Sequence, residues 1–202
     1  MRTWKHILTD CDGVLLDWSG GFRPWLEDRI GPPSGSPPPL HPNHADKWVL
    51  THYPVGAERV EDFIQEFQRS SSFGRLNPYP DAVRYVPALA RSGIRLTLVS
   101  SPGACPETLE RRVENLRRCF GDIFDPFSHL PAQSSKMGAL RRHCPTLWID
   151  DHVPHVLEGL SAGHLGVHMD RVGENHPDVP ARVSEWGVVH AWASLGLGLG
   201  VG

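Results

Sequence analysis

Lysine is nearly missing from this 202-residue chain: Lys5, Lys47 and Lys136 are the only ones among its 20 basic residues. Cysteine is sparse as well, with Cys11, Cys105, Cys119 and Cys144 far apart and no Cys-x-x-Cys pair. That excludes paired zinc-knuckle spacing and argues against a disulfide framework. No apolar run approaches the ~18–20 residues of a membrane helix, and the N-terminal residues carry no signal-peptide apolar stretch. The expectation is a cytoplasmic protein with no membrane partner. An excess of charge is also lacking: 20 Lys+Arg face 23 Asp+Glu, for a formal charge of −3. Nothing here draws the chain along extended nucleic acid, so any polyanion contact has to be local.

What is present suits one globular domain, or a domain with a modest insertion: 40% apolar residues and ample length for a core. Residues 5–10 read as a short buried strand ending on an acid. Trp18, Phe22, Trp25, Leu26 and Ile30 then follow helical spacing. Six prolines between Gly31 and Pro42 exclude helix or central strand there. Val60, Phe63, Ile64 and Phe67 repeat at i, i+3, i+4, i+7, an amphipathic helix. Further helices are expected through Ala82–Ala90, from Pro106 onward and over Pro154–Leu160. Strands are expected at Ile94–Val99, Thr146–Ile149 and Leu165–Met169.

Strands alternating with helices imply an α/β fold built on a Rossmann-like parallel sheet with helices on both faces. Residues 18–75 interrupt the alternation and read as a small α-helical cap inserted after the first strand. The core is then 1–17 plus 76–195, and 196–202 is a flexible Gly-rich tail.

Three strands end in polar clusters: Asp10-Cys11-Asp12, Ser100-Ser101 and Asp150-Asp151. Ligands bind at the carboxyl ends of the strands in open parallel sheets, so these clusters can converge. Four carboxylates meeting there repel one another unless a hard cation sits among them, and Mg²⁺ prefers such oxygen donors. Lys136 can supply a second counter-charge. Taken singly, each piece has a plain reading as a cap, a turn or a surface charge. Their order along the chain sets them apart.

That order, Asp10-Cys11-Asp12-Gly13-Val14, then Ser100, Lys136 and Asp150-Asp151, resembles the haloacid dehalogenase-like phosphohydrolase superfamily. Within it, Asp12 to Trp18, Gly20-Gly21-Phe22, Trp48-Val49 with Tyr53, and Leu76 to Ala82 resemble the 5′(3′)-deoxyribonucleotidases. The resemblance spans residues 5 to about 160. It implies a Mg²⁺-dependent phosphomonoesterase acting on a nucleoside monophosphate, a 5′-nucleotidase-like activity.

By that resemblance Asp10 is the nucleophile that forms an aspartyl-phosphate, and Asp12 is the acid and base. Ser100 and Lys136 complete the catalytic set, with Ser101 assisting at the phosphoryl group. Mg²⁺ is held by Asp10, Asp12 (through its backbone carbonyl), Asp150 and Asp151. Trp18, Trp48, Val49 and Phe73 are the positions that match the base-binding residues; the same aromatics read equally well as cap core. Lys47 departs from that family, which carries an aromatic there, and the Pro-rich stretch has no counterpart.

Rival readings are a phosphatase for another small phosphate ester or a nucleic-acid 3′-phosphate, and a catalytically silent binding protein. No Gly-Lys dipeptide exists for a nucleotide-binding P-loop, and no His-Asp dipeptide for another hydrolase class. Pro154 between His152 and His155 opposes a regular helix through both, and His164 and His168 read as strand residues too far apart for one metal. Cys11 between two acids is a poor nucleophile. The pairs Arg111-Arg112, Arg117-Arg118 and Arg141-Arg142 read as solvated helix faces. A homodimer is compatible with all of this.

Overall fold

The first strand, β1 (His6–Thr9), is buried along most of its length and pairs in parallel on both sides. A computed structural model describes residues 4–103, 105–131, 134–173 and 176–195, the side chains at 126–129 excepted. The expected tail at 196–202 lies outside them. Five more strands, β2 (Arg95–Ser100), β3 (Phe124–His129), β4 (Leu147–Asp150), β5 (Leu165–Met169) and β6 (Arg182–Val183), complete one sheet in the order β3-β2-β1-β4-β5-β6. Every neighbouring pair is parallel.

Side-chain alternation splits the core into two layers. Ile7, Leu96, Leu98, Leu147 and Ile149 face one side, against α4 (Pro80–Arg91), α5 (Pro106–Phe120) and α8 (Trp186–Leu195). Leu8, Val99 and Trp148 face the other, against α6 (Met137–Leu140) and α7 (Val153–Ser161). Burial on both faces explains why β4 reads Leu-Trp-Ile-Asp with no polar alternation. The expected α/β sheet with covered faces is present.

β3 and β6 escaped the sequence reading. Pro126 lies within β3, and proline is tolerated there because β3 is an edge strand whose register with β2 shifts between Thr97 and Val99. β6 has only two residues.

Between β1 and α4 the chain forms α1 (Trp18–Ile30), α2 (Ala45–His52) and α3 (Ala57–Arg69) with no strand. Asp17 caps α1 by accepting from Gly20 N at 2.8 Å, and Gly31 at φ 85° ends it. Val60, Phe63 and Phe67 of α3 are buried as their spacing requires. This segment leaves and rejoins at one place: Asp17 N donates to Asn77 O at 2.8 Å, and Leu16 bridges Pro78. No helix among the described residues is long and apolar enough to cross a membrane.

Candidate active site

β1 and β4 are adjacent and parallel, so their last residues deliver Asp10 and Asp150-Asp151 to the same end of the sheet. Asp10 N donates to Ile149 O at 2.8 Å, which continues the pairing one step past β1. The loop then turns back sharply at Gly13, whose φ is +73°. A Cβ at Gly13 would lie 2.0 Å from Asp151 Oδ2, so only glycine lets the two strand-end loops approach this closely.

Lys136, at the start of α6, is 2% exposed. Its Nζ donates to Asp150 Oδ2 at 2.8 Å and stands 2.9 Å from Asp10 Oδ1, a charge contact outside hydrogen-bond alignment. Burial works against its charge, yet Asp10 and Asp150 more than offset this and hold the ammonium above its ordinary value. Asp150 Oδ1 accepts from His152 N at 2.8 Å, so both its oxygens are engaged. Asp151 Oδ2 accepts from Asn43 Nδ2 at 3.1 Å. Burial, then the neighbouring Asp150 and Asp10, push the Asp151 carboxyl well above the usual range.

Among the described residues, Asp10, Asp150 and Asp151 form the one group whose oxygens converge as a metal-binding set, within 4.8 Å of one another. Counting Asp12, four acids face two buried cations, Lys136 and Arg112, so the acidic groups outnumber the fixed positive charges by two. An all-oxygen donor set with that excess suits a hard divalent ion such as Mg²⁺.

Asp12 points elsewhere. Arg112 of α5, 1% exposed, donates through Nη2 to Asp12 Oδ1 at 2.6 Å and Oδ2 at 2.7 Å. Burial raises the Asp12 pKa to about 6 against the pull of Arg112. This corrects the expectation that Arg111-Arg112 is a solvated face. The buried stripe of α5 is Thr108, Arg112, Asn115, Leu116 and Phe120, and i, i+4, i+8 spacing through Arg112 is the signal that sequence reasoning passed over.

A cleft of about 860 Å³ lies over this cluster and is lined by Asp10, Asp12, Trp18, Ser100, Ser101, Lys136 and Asp151. Ser101 Oγ is buried without a hydrogen-bond partner beside the acids. Asn43, Asp46, Glu61, Gln65, Gln68 and Arg69 supply a polar wall from the segment between β1 and α4. The structure therefore brings together every residue expected at the phosphoryl end.

The expected base-binding set is divided. Trp48, Val49 and Phe73 do not line the cleft. Trp48 is 7% exposed, with its Nε1 donating to Pro38 O at 3.0 Å. Val49 is fully buried, and Phe73 lies under Arg112, 4.1 Å from ring centroid to guanidinium carbon. Trp18 stacks on Phe22 at 4.5 Å between ring centroids. These aromatics pack the segment's own core because its three short helices have little other apolar surface to bury.

Pro154 sits in the first turn of α7, where proline is tolerated, so His152 and His155 both reach the cleft with rings 4.7 Å apart. His164 is a core residue, its Nδ1 accepting from Thr146 N. Burial pushes the Cys11 thiol well above its ordinary value, as an inert residue requires.

The sequence matches no protein-family model and no curated protein. Solved structures do match along nearly the whole chain. A dehalogenase captured with an intermediate complex superposes with a TM-score of 0.60 at 15% identity, over 98% of this chain and 100% of that one. A HAD-superfamily hydrolase from Ehrlichia chaffeensis gives 0.56 at 16% identity, over 96% and 98%. CbbY from Rhodobacter sphaeroides in complex with phosphate gives 0.53 at 14% identity, over 96% of each chain. With the parallel sheet and the acids at its carboxyl end, these likenesses establish that the chain has the haloacid dehalogenase-like fold.

Proposed function

We propose that the protein is a phosphomonoesterase that works through an aspartyl-phosphate on Asp10. The observation that carries this reading is Lys136, buried between Asp10 and Asp150 with Asp151 beside them at the floor of an open cleft. A buried lysine tied to two carboxylates neutralises one of them and leaves room for a divalent ion and a phosphoryl group.

Asp10 attacks phosphorus as the ester P–O bond breaks, and the leaving oxygen takes a proton from Asp12. Asp12 then removes a proton from water, whose oxygen attacks the phosphorus of the aspartyl-phosphate. Inorganic phosphate leaves and Asp10 is restored. Ser100 and Ser101 hydrogen-bond the phosphoryl oxygens, and Lys136 orients Asp10. Asp10 and Asp151 would hold Mg²⁺, assisted by the Asp12 backbone carbonyl, while Asp150 orients Lys136 beside them. When bound, the ion offsets the repulsion between Asp10 and the phosphate. Residues 18–75 act as the cap whose polar wall meets the leaving group.

The motif resemblance favours a nucleoside monophosphate. The lining favours a second reading, a hydroxylated group such as a sugar or polyol phosphate, because Glu61, Gln65, Gln68 and Arg69 offer hydrogen bonds there, while Trp18 is the one expected base-binding aromatic that lines the cleft. A panel of nucleoside monophosphates and sugar phosphates assayed with Mg²⁺ separates the two. Asp10→Asn should abolish phosphate release from either class while the protein stays folded. Full activity in that variant would refute the aspartyl-phosphate scheme; a wild type silent on the whole panel would instead leave a binding protein.

A further inference from the structure

The cleft rim holds a contact that the phosphoryl-transfer scheme leaves unused. Arg112 lies in the middle of α5, and its guanidinium is sandwiched between the Phe73 ring and the Asp12 carboxylate. Its Nε and Nη1 are buried without a hydrogen-bond partner. Among the described residues, Asp12 alone accepts from it. A buried cation is costly to maintain, and here its single polar attachment is one side chain that is itself 21% exposed to the cleft. The ring on one side and the ion pair on the other fix the plane of the fork.

One nitrogen, Nη2, serves both oxygens of Asp12. Either oxygen can therefore turn toward a substrate while the other stays anchored. An arginine that only glued α5 to the β1 loop could do so through backbone carbonyls. Arg118 does this one turn and a half further along, donating to Leu76 O at 3.1 Å.

We propose that Arg112 is the positioning residue for Asp12, anchoring one oxygen of its carboxyl group at the cleft rim so that the other, protonated, delivers its proton to the leaving oxygen. This rests on the phosphomonoesterase reading above. It predicts a dependence on leaving group that a structural role does not. An ester of p-nitrophenol departs as a stable phenolate and needs no proton. An alkyl phosphate does need one.

The experiment compares kcat/KM for p-nitrophenyl phosphate and for glycerol phosphate in wild type, Arg112→Met and Arg112→Lys. This ratio reports only the steps up to phosphoryl transfer onto Asp10, so the later hydrolysis does not contaminate it. Arg112→Met should lose tenfold or more with glycerol phosphate and less than threefold with p-nitrophenyl phosphate. Arg112→Lys keeps a buried charge with shorter reach, and serves if the methionine variant fails to fold. It should show the same selective loss, smaller in size. Equal losses with both esters, in folded variants of an active wild type, would overturn the positioning role alone. A wild type inactive on both esters and on the nucleoside and sugar phosphates of the panel would overturn the phosphomonoesterase reading and this role with it.

Discussion

The ammonium of Lys136 donates to Asp150 at 2.8 Å, in a site where the lysine is 2% exposed and the aspartate fully buried. Removing one partner of such a pair leaves the other charged and unsolvated, at a cost of about 3–5 kcal/mol. Lys136→Met should therefore lower stability by that order as well as activity. Chemical denaturation and phosphate release measured on the same preparations check this. Full stability with activity lost would mean that the pair contributes to chemistry alone.

Gly13→Ala places a methyl group 2.0 Å from Asp151 Oδ2 and forces alanine to φ +73°. The backbone penalty alone is roughly 1–2 kcal/mol. Asp151 must also withdraw, so Mg²⁺ affinity measured by titration calorimetry should fall tenfold or more. An unchanged affinity would remove Asp151 from the ion's donor set.

Protons and a divalent ion both relieve the repulsion within this acidic cluster. Burial raises the folded-state pKa of Asp12 from 3.8 to about 6, and the buried Asp150 and Asp151 carboxyls shift the same way. The folded state then binds more protons than the unfolded one between about pH 4 and pH 6, so these groups make stability fall as pH rises through that window. Above it Asp12 and Asp150 carry their charges and the repulsion is larger, and a divalent ion relieves it. Mg²⁺ at a hundredfold excess over its Kd adds about 2.7 kcal/mol, on the order of 5–10 °C in Tm. The gain should be largest at pH 7.5 and nearly vanish at pH 5, as thermal melts will show. An equal gain at both would place the ion away from these acids.

Trp48 tests the aromatic reading. As a buried residue whose Nε1 is satisfied by Pro38, it should cost about 3–5 kcal/mol when replaced by alanine. The KM for a nucleoside monophosphate should stay within twofold. A raised KM at full stability would return Trp48 to the substrate.

Lys136 stood out by its place in the motif order and by the scarcity of lysine. The acids and Ser100 were legible because each stands at or just past a strand's end, which is visible in one short window of sequence. The parallel sheet was legible for the same reason. Arg112 was not, because a basic pair inside a helix looks solvated until tertiary packing closes over Phe73. Asn43 was hidden too: it reaches Asp151 from the end of the proline-rich stretch, and no local pattern says where such a stretch will point. The aromatics stayed open between two readings because one that packs a small core and one that stacks a ligand have the same spacing.

Asp17 and Asn77, joined by a single peptide hydrogen bond, are next-door neighbours as far as the sheet is concerned. The chain between them is, in polymer terms, a ring closed at that point and pinned again where Asn43 meets Asp151 and where Thr108 meets Gln68. Its closure entropy grows only with the logarithm of its length, by about 0.6 kcal/mol for each doubling. The sheet is thus almost blind to how many residues the ring contains. Residues can be added or removed between positions 35 and 37 without disturbing the register that sets Asp10 against Asp151, so long as Pro38 still meets Trp48 and Asn43 still meets Asp151.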